Sequence, residues 1–223
     1  MFENLRFVFF DVGTTLLFAN RPRILGPLYE RNTVPSEEQL RALECEIKNK
    51  FDDILEHGGK PDHGFWSMFY KRLFEELGLN DDMLQQQLIA NTRTSANWDQ
   101  LRPGTLEALQ RIGKKYDIAV ISNADGKIAE CLGRCGLADC FLTITDSGVV
   151  GHEKPHPAIF ETALKSVGAQ PQESLYVGDV YSVDYRGATS AGMQAVLFDV
   201  AGAYRGKGVP RVESMEELVE MIA

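Results

Sequence analysis

FVFFDVGTTLLF, residues 7–18, is the stretch on which the fold turns. Phe7-Val8-Phe9-Phe10 is an unbroken apolar run of β-forming residues. A strand with no polar face is one buried on both sides, as in the middle of a parallel sheet. The run stops at a carboxylate, Asp11, and a Gly13-Thr14-Thr15 turn follows. In an open parallel sheet, ligands bind just outside the carboxyl ends of the strands. A charge there is therefore either a strand terminator or part of a site, and the rest of the chain has to decide between them.

Runs of the same kind recur: LRFVFF over 5–10, DIAVIS over 117–122, SLYVG over 174–178, QAVLFD over 194–199 and a weaker FLTIT over 141–145. Helix-period segments separate them. In 104–116, Leu106, Leu109 and Ile112 form one predicted stripe; 126–136 and 156–168 are also periodic, and both end at glycine, a common helix stop. Alternating strand and helix predicts an α/β fold, a Rossmann-like doubly wound parallel sheet with helices on both faces. Residues 18–99 break the alternation. Leu40, Leu43, Ile47, Phe51 and Leu55 recur at helical spacing, as do Trp66, Phe69, Tyr70, Leu73 and Phe74, and Ser36 stands where a helix N-cap belongs. The expected organisation is a core of residues 1–17 and 100–223 with an all-α insertion at 18–99.

The strand ends carry the chemistry. Asp11 closes the first strand, Ser122-Asn123 the strand at 117–122, and Asp179 the strand at 174–178, with Asp184 five residues on; Lys154 lies in the GHEKPHP loop after FLTIT. Each of these alone reads as a turn, a cap or a solvated side chain. In this order along an α/β chain they form a set. The set resembles the haloacid dehalogenase-like superfamily of hydrolases over nearly the whole length. Asp11 with Thr15-Leu16 is similar to the first family motif, Ser122-Asn123 to the second, Lys154-Pro155 to the third and Gly178-Asp179 through Asp184 to the fourth, while 18–99 stands where the family has its helical cap.

The resemblance implies a phosphatase acting on a small phosphorylated metabolite. Asp11 would be the nucleophile, forming an aspartyl-phosphate that water hydrolyses. Mg²⁺ would be held by Asp11, Asp179 and the backbone carbonyl of Gly13, with Asp184 binding through water or orienting the others; oxygen donors of this kind suit a hard cation. Ser122, Asn123 and Lys154 would bind the phosphoryl group, and Lys154 would also offset charge between it and Asp11. Gly13 departs from the pattern: the family's phosphatases carry a second Asp there, which protonates the leaving oxygen. Loss of a general acid typically lowers the rate by about 10²–10⁴-fold. His57, His63, His152, His156 and Tyr181 are the candidates to replace it. Thr14, where glycine is usual, is the second departure. Alternatives are a 2-haloacid dehalogenase, whose halide needs no proton; phosphonate cleavage, which needs a lysine from among Lys48, Lys50, Lys60 and Lys71; and a non-catalytic protein on the same scaffold.

Bulk properties do not exclude a small anionic substrate, since a site can be locally positive. Of 223 residues, 44% are hydrophobic and 25% charged, as in an ordinary globular protein, and the net charge of −9 disfavours nucleic acid and anionic membranes as partners. There is no run of the roughly 18–20 apolar residues a membrane helix needs and no basic stretch ahead of the first strand, so the expectation is a cytoplasmic monomer or homodimer without a signal peptide. Cys45, Cys131, Cys135 and Cys140 show no metal-ligand spacing and are expected to be free thiols. The glycine-rich stretch 201–210 lacks the Gly-Lys-Ser/Thr ending of a P-loop.

Overall fold

A computed structural model describes residues 2, 4–59 and 64–223 of the chain. Phe7–Phe10 form β1, with all four residues buried. The other strands are β2 (Phe18–Ala19), β3 (Trp98–Gln100), β4 (Asp117–Ser122), β5 (Ile144–Asp146), β6 (Ser174–Gly178), β7 (Gln194–Phe198) and β8 (Arg211–Val212). Six of them form one parallel sheet in the order β5-β4-β1-β6-β7-β8. β1 lies at its centre, with Phe9 opposite Ala119 on one side and Tyr176 on the other. The chain builds outward from β1 to β4 and β5, then returns to the other side of β1 for β6. That reversal makes the carboxyl ends of β1 and β6 the switch point of the sheet, where a crevice opens.

The apolar run of β1 serves two cores by simple alternation. Val8 and Phe10 face a cluster with Leu109 and Ile112 of α5 (Thr105–Gly113), Cys131 and Leu132 of α6 (Ile128–Arg134) and Leu218 of the C-terminal helix Met215–Met221. Phe7 and Phe9 face Ile159, Phe160 and Ala163 of the helix Pro157–Val167. The strand is flanked by helices on both faces, which is why none of its residues is polar. Leu106 does not join the α5 stripe as its spacing predicts: it is exposed, and Thr105 and Ala108 are buried with Leu109 and Ile112 instead.

Between β1 and β4 the chain forms α1 (Arg21–Tyr29), α2 (Glu37–Glu56), α3 (Phe65–Leu77) and α4 (Asp82–Arg93). Ser36 caps α2 and, with Gln39, closes a reciprocal capping box. Leu40, Leu43 and Ile47 of α2 pack with Phe69, Tyr70, Leu73 and Phe74 of α3 in a core of their own. The chain leaves and re-enters the α/β layer through the antiparallel pair β2–β3, Phe18 opposite Gln100 and Ala19 opposite Trp98. Asn20 Nδ2 donates to Asp99 Oδ1 at 2.9 Å and Arg23 pairs with Asp99 at 2.6 Å, tying the two crossings together. The expected connection at 57–65 falls partly outside the described residues. No helix among them is long and apolar enough to cross a membrane.

Candidate functional site

Acids stand at four strand ends, and their partners separate the structural from the functional. Asp146 at the end of β5 accepts hydrogen bonds from the backbone N–H groups of Gly126, Ile128 and Gly148. Asp199, after β7, accepts from the N–H groups of Ala203 and Tyr204 and pairs with Arg211. Both are spent on holding turns. The acids at β1 and β6 meet instead. Asp11, Asp179 and Asp184 are all buried, and one carboxylate oxygen of each lies within 4.8 Å of the others; they are the single such cluster among the described residues.

Lys154 Nζ sits in their midst, 2.7 Å from Asp11 Oδ1, 2.8 Å from Asp184 Oδ1 and 2.7 Å from the Tyr176 hydroxyl. Asn123 holds the lysine's backbone: its Oδ1 accepts from Lys154 N–H at 2.7 Å, and its Nδ2 donates to Lys154 C=O at 3.0 Å. The Asn123 side chain thus positions Lys154, and Asn123 also lines the cavity, where its second Nδ2 hydrogen is not used by Lys154. Ser122 is buried and lines the same cavity.

Asp184 is built in by the turn that follows β6. Residues Tyr181–Tyr185 make one wide π turn, a form often found at functional sites. It folds Asp184 back so that Oδ2 accepts from the N–H groups of Asp179 at 3.1 Å and Val180 at 2.9 Å. The carboxylate lies so close over Gly178 that a Cβ there would come within 2.5 Å of its Cγ, so only glycine fits.

One site residue comes from the helical insertion. Lys48 of α2 is 2% exposed, and its Nζ lies 2.8 Å from Asp179 Oδ2 and 2.8 Å from Glu44 Oε1. Four residues on, Asp52 accepts from the N–H and hydroxyl of Ser182 in the π turn. Arg41 and Cys45 donate to Ala201 C=O, and Asn49 to Ala203 C=O. Residues 41, 45, 48, 49 and 52 therefore form a polar stripe that docks α2 on the core, and the glycine-rich 201–210 stretch is its receptor. The sequence named Lys48 as one of four lysines but held no sign of its partner. Its spacing with Glu44 and Asp52 was the available signal, although such a stripe normally reads as a solvated face. Of the other three, Lys50 and Lys71 are exposed and Lys60 lies outside the described residues.

The electrostatics follow from crowding three acids and two ammonium groups out of water. Burial pushes Asp11 up to about 6 against the pull of Lys154, with Asp184 adding to the rise. Burial likewise pushes Asp179 up to about 7 against Lys48. Burial alone would lower both lysines, but Asp11 and Asp184 around Lys154, and Asp179 and Glu44 around Lys48, hold them charged and raised. A concentration of oxygen donors whose ionisation is opposed by burial suits a small divalent cation, which would favour the charged carboxylates. The residues present thus fit Mg²⁺.

Above this charged floor lies a cavity of about 1150 Å³ between the sheet edge and the helical insertion. Asp11, Gly13, Lys48, Ser122, Lys154 and Asp179 line it, and so do Phe18, Phe65, Trp66 and Trp98. The proposed stand-ins for an acid at Gly13 are not brought here. His57 is exposed beside Asp53, His152 and His156 are exposed and stacked on each other, and Tyr181 stacks on Tyr185; none of these lines the cavity, and His63 lies outside the described residues. The cysteines are free thiols, as expected, and Cys131 donates to the Ser95 and Trp98 carbonyls.

Comparison with known proteins agrees with this architecture. A family model described as haloacid dehalogenase-like hydrolase matches residues 8–192. A glyceraldehyde 3-phosphate phosphatase of Methanothermobacter thermautotrophicus is 33% identical over 203 residues, 86% of this chain and 85% of that protein. Haloacid dehalogenase-like hydrolase domain-containing protein 3 of Bos taurus is 29% identical, over 89% of this chain and 82% of its own. Among solved structures, the Bacillus subtilis protein YfnB in a magnesium-bound form superposes with a TM-score of 0.73 at 20% identity, over 98% of both chains.

Proposed function

Because the chain belongs to the haloacid dehalogenase-like hydrolase family, we propose that it is a Mg²⁺-dependent phosphatase acting on a small phosphorylated molecule through an aspartyl-phosphate on Asp11. The observation that carries this reading is the placement of Lys154, bridging Asp11 at 2.7 Å and Asp184 at 2.8 Å at the switch point of the sheet. It supplies an anion-binding ammonium beside a buried carboxylate. The phosphatase names of relatives point the same way.

In this reading Asp11 attacks phosphorus. Lys154 and Ser122 hold phosphoryl oxygens, so positioning and electrostatics do most of the catalysis, as is usual in phosphoryl transfer. Asp11, Asp179 and the Gly13 carbonyl would hold Mg²⁺, which when bound neutralises the phosphoryl oxygens. Asp184 is saturated by Lys154 and two backbone N–H groups, so its part is to orient Asp179 and Lys154. Residues 18–99 act as a cap that swings about β2–β3 and admits only small substrates, α2 bringing Lys48 in on closure. Halide displacement would make Gly13 harmless, yet it leaves the Asp179–Asp184 arrangement without a task.

The test is release of phosphate from 4-nitrophenyl phosphate with Mg²⁺ or with excess chelator. The expected result is Mg²⁺-dependent turnover that falls by about 10⁴-fold or more in Asp11→Asn, as loss of a nucleophile does. Turnover of 2-haloacids without Mg²⁺, or equal turnover in Asp11→Asn, would overturn the reading.

A further inference from the structure

Residue 13 has no side chain, but the space a side chain would enter has a definite border. A Cβ on Gly13 would lie 3.6–3.9 Å from Cζ3, Cε3 and Cη2 of the Trp98 indole. That is ordinary contact, and Gly13 is not among the glycines in the left-handed region. Neither crowding nor backbone geometry therefore demands glycine here. In the reaction proposed above, a side chain at this position would reach the leaving oxygen, so the group beside Gly13 is the group that meets the leaving group.

That group is an aromatic wall with no proton to give. Trp98 Nε1 already donates to the Thr92 carbonyl at 2.7 Å. Trp66 lies beside Trp98 with centroids 5.7 Å apart, and Phe65 packs edge-on to Trp66 at 5.0 Å. Of the other carboxylates along the cavity, Glu44 pairs with Lys48, Glu37 with Arg21 and Asp125 with Ser95, while Glu153 is exposed in the loop just ahead of Lys154 and is not among the groups beside Gly13. A leaving oxygen beside Gly13 meets apolar ring surface and not an acid.

Resting on the phosphatase reading, we propose that the site is specific for aryl phosphates, the ring of the leaving group lying against Trp98 and Trp66. Asp11 forms the new bond to phosphorus as the P–O(aryl) bond breaks. The bonding electron pair leaves on the oxygen as an aryl oxide, which is stable without a proton and later takes one from solvent. Water then cleaves the acyl phosphate, one of its protons staying on the released phosphate and the other passing to solvent. Proton donation is not needed in the bond-breaking step, and the flat leaving group gains ring contact instead.

The experiment is kcat/KM with Mg²⁺ for 4-nitrophenyl, 4-chlorophenyl and phenyl phosphate and for glycerol 3-phosphate, in wild type, Gly13→Asp, Trp98→Leu and Trp98→Phe. The wild type is expected to favour 4-nitrophenyl phosphate over glycerol 3-phosphate by at least about 100-fold, the scale of a missing general acid. Gly13→Asp narrows that gap by about tenfold. Trp98→Leu raises KM for the aryl substrates by about tenfold and for glycerol 3-phosphate far less, and Trp98→Phe restores it. A flat series in wild type, or an equal KM rise for all substrates in Trp98→Leu, overturns aryl specificity while leaving an Asp11-dependent phosphatase in place. Absence of Asp11-dependent phosphate release from every substrate overturns both. Should Gly13→Asp fail to fold, the wild-type series and the Trp98 pair still decide.

Discussion

The two strand ends that meet at the switch point are finished differently. At the end of β6, Gly178 is cleared for the Asp184 carboxylate, and every Asp184 oxygen has a partner. At the end of β1, Asp11 is followed by a glycine where an acid would act, and by Thr14 at φ +61°, a left-handed conformation that threonine resists. The contrast teaches that binding and leaving-group chemistry are separable. In the proposed reaction the half that positions charge is complete, and the half that would handle the departing oxygen is bordered by the Trp98 ring.

The comparison breaks most visibly at its shared lysine. Lys154→Met leaves Asp11 and Asp184 buried without their counter-charge, and removing one partner of a buried pair costs about 3–5 kcal/mol. Chemical denaturation should show a loss of that size. Lys48→Met removes the ammonium from Asp179 and Glu44 only, and Glu44 is partly exposed, so its loss should be smaller. If Lys48 stands in for a cation at Asp179, saturating Mg²⁺ restores much of the Lys48→Met loss and little of the Lys154→Met loss. Equal recovery in the two variants would show that Lys48 is only a strut between cap and core.

A subtler effect separates the carboxylates from the rest of the protein. Asp11 at about 6 and Asp179 at about 7 bind their protons more tightly folded than unfolded, where carboxyls titrate near 4. Their contribution to metal-free stability is therefore greatest at acid pH and is lost as pH rises through 6 and 7. Mg²⁺ needs the ionised forms, so its stabilising effect runs the other way. The rise in Tm on adding Mg²⁺ should grow between pH 5 and pH 8. A rise independent of pH would place the ion elsewhere.

Much of this was legible in the sequence, because the signals were local. β4 and β6 run over the residues their apolar composition marks, and the turn residues at β1 and β6 announce a site. What was not legible depends on distance. Trp98 lies far along the chain from Gly13, and nothing in either neighbourhood declares that they touch. Lys48 meets Asp179 across the boundary between two packing units, and in sequence it is one charge on a charged helix face. β8 and the C-terminal helix went unread because β8 has two residues and the helix only seven, too short for a period to show. Leu106 misled for a related reason: a 3-residue spacing drifts around a helix, so its stripe could not hold all three apolar positions at the core.

The smallest effect concerns the unfinished strand end itself. Thr14 N–H donates to Leu17 C=O at 2.8 Å, closing the turn that carries Gly13, and the turn needs a positive φ at this residue whatever its side chain. A non-glycine residue there costs about 1–2 kcal/mol, while glycine would add unfolded-state entropy worth about 0.4–1 kcal/mol. The first term is the larger, so Thr14→Gly should stabilise the protein by up to about 1 kcal/mol, read as a shifted denaturation midpoint with an unchanged slope. A loss of stability would mean that the Thr14 side chain, half-buried at the turn, makes contacts worth more than the strain. The stripped end of β1 would then be a finished structure of a different kind.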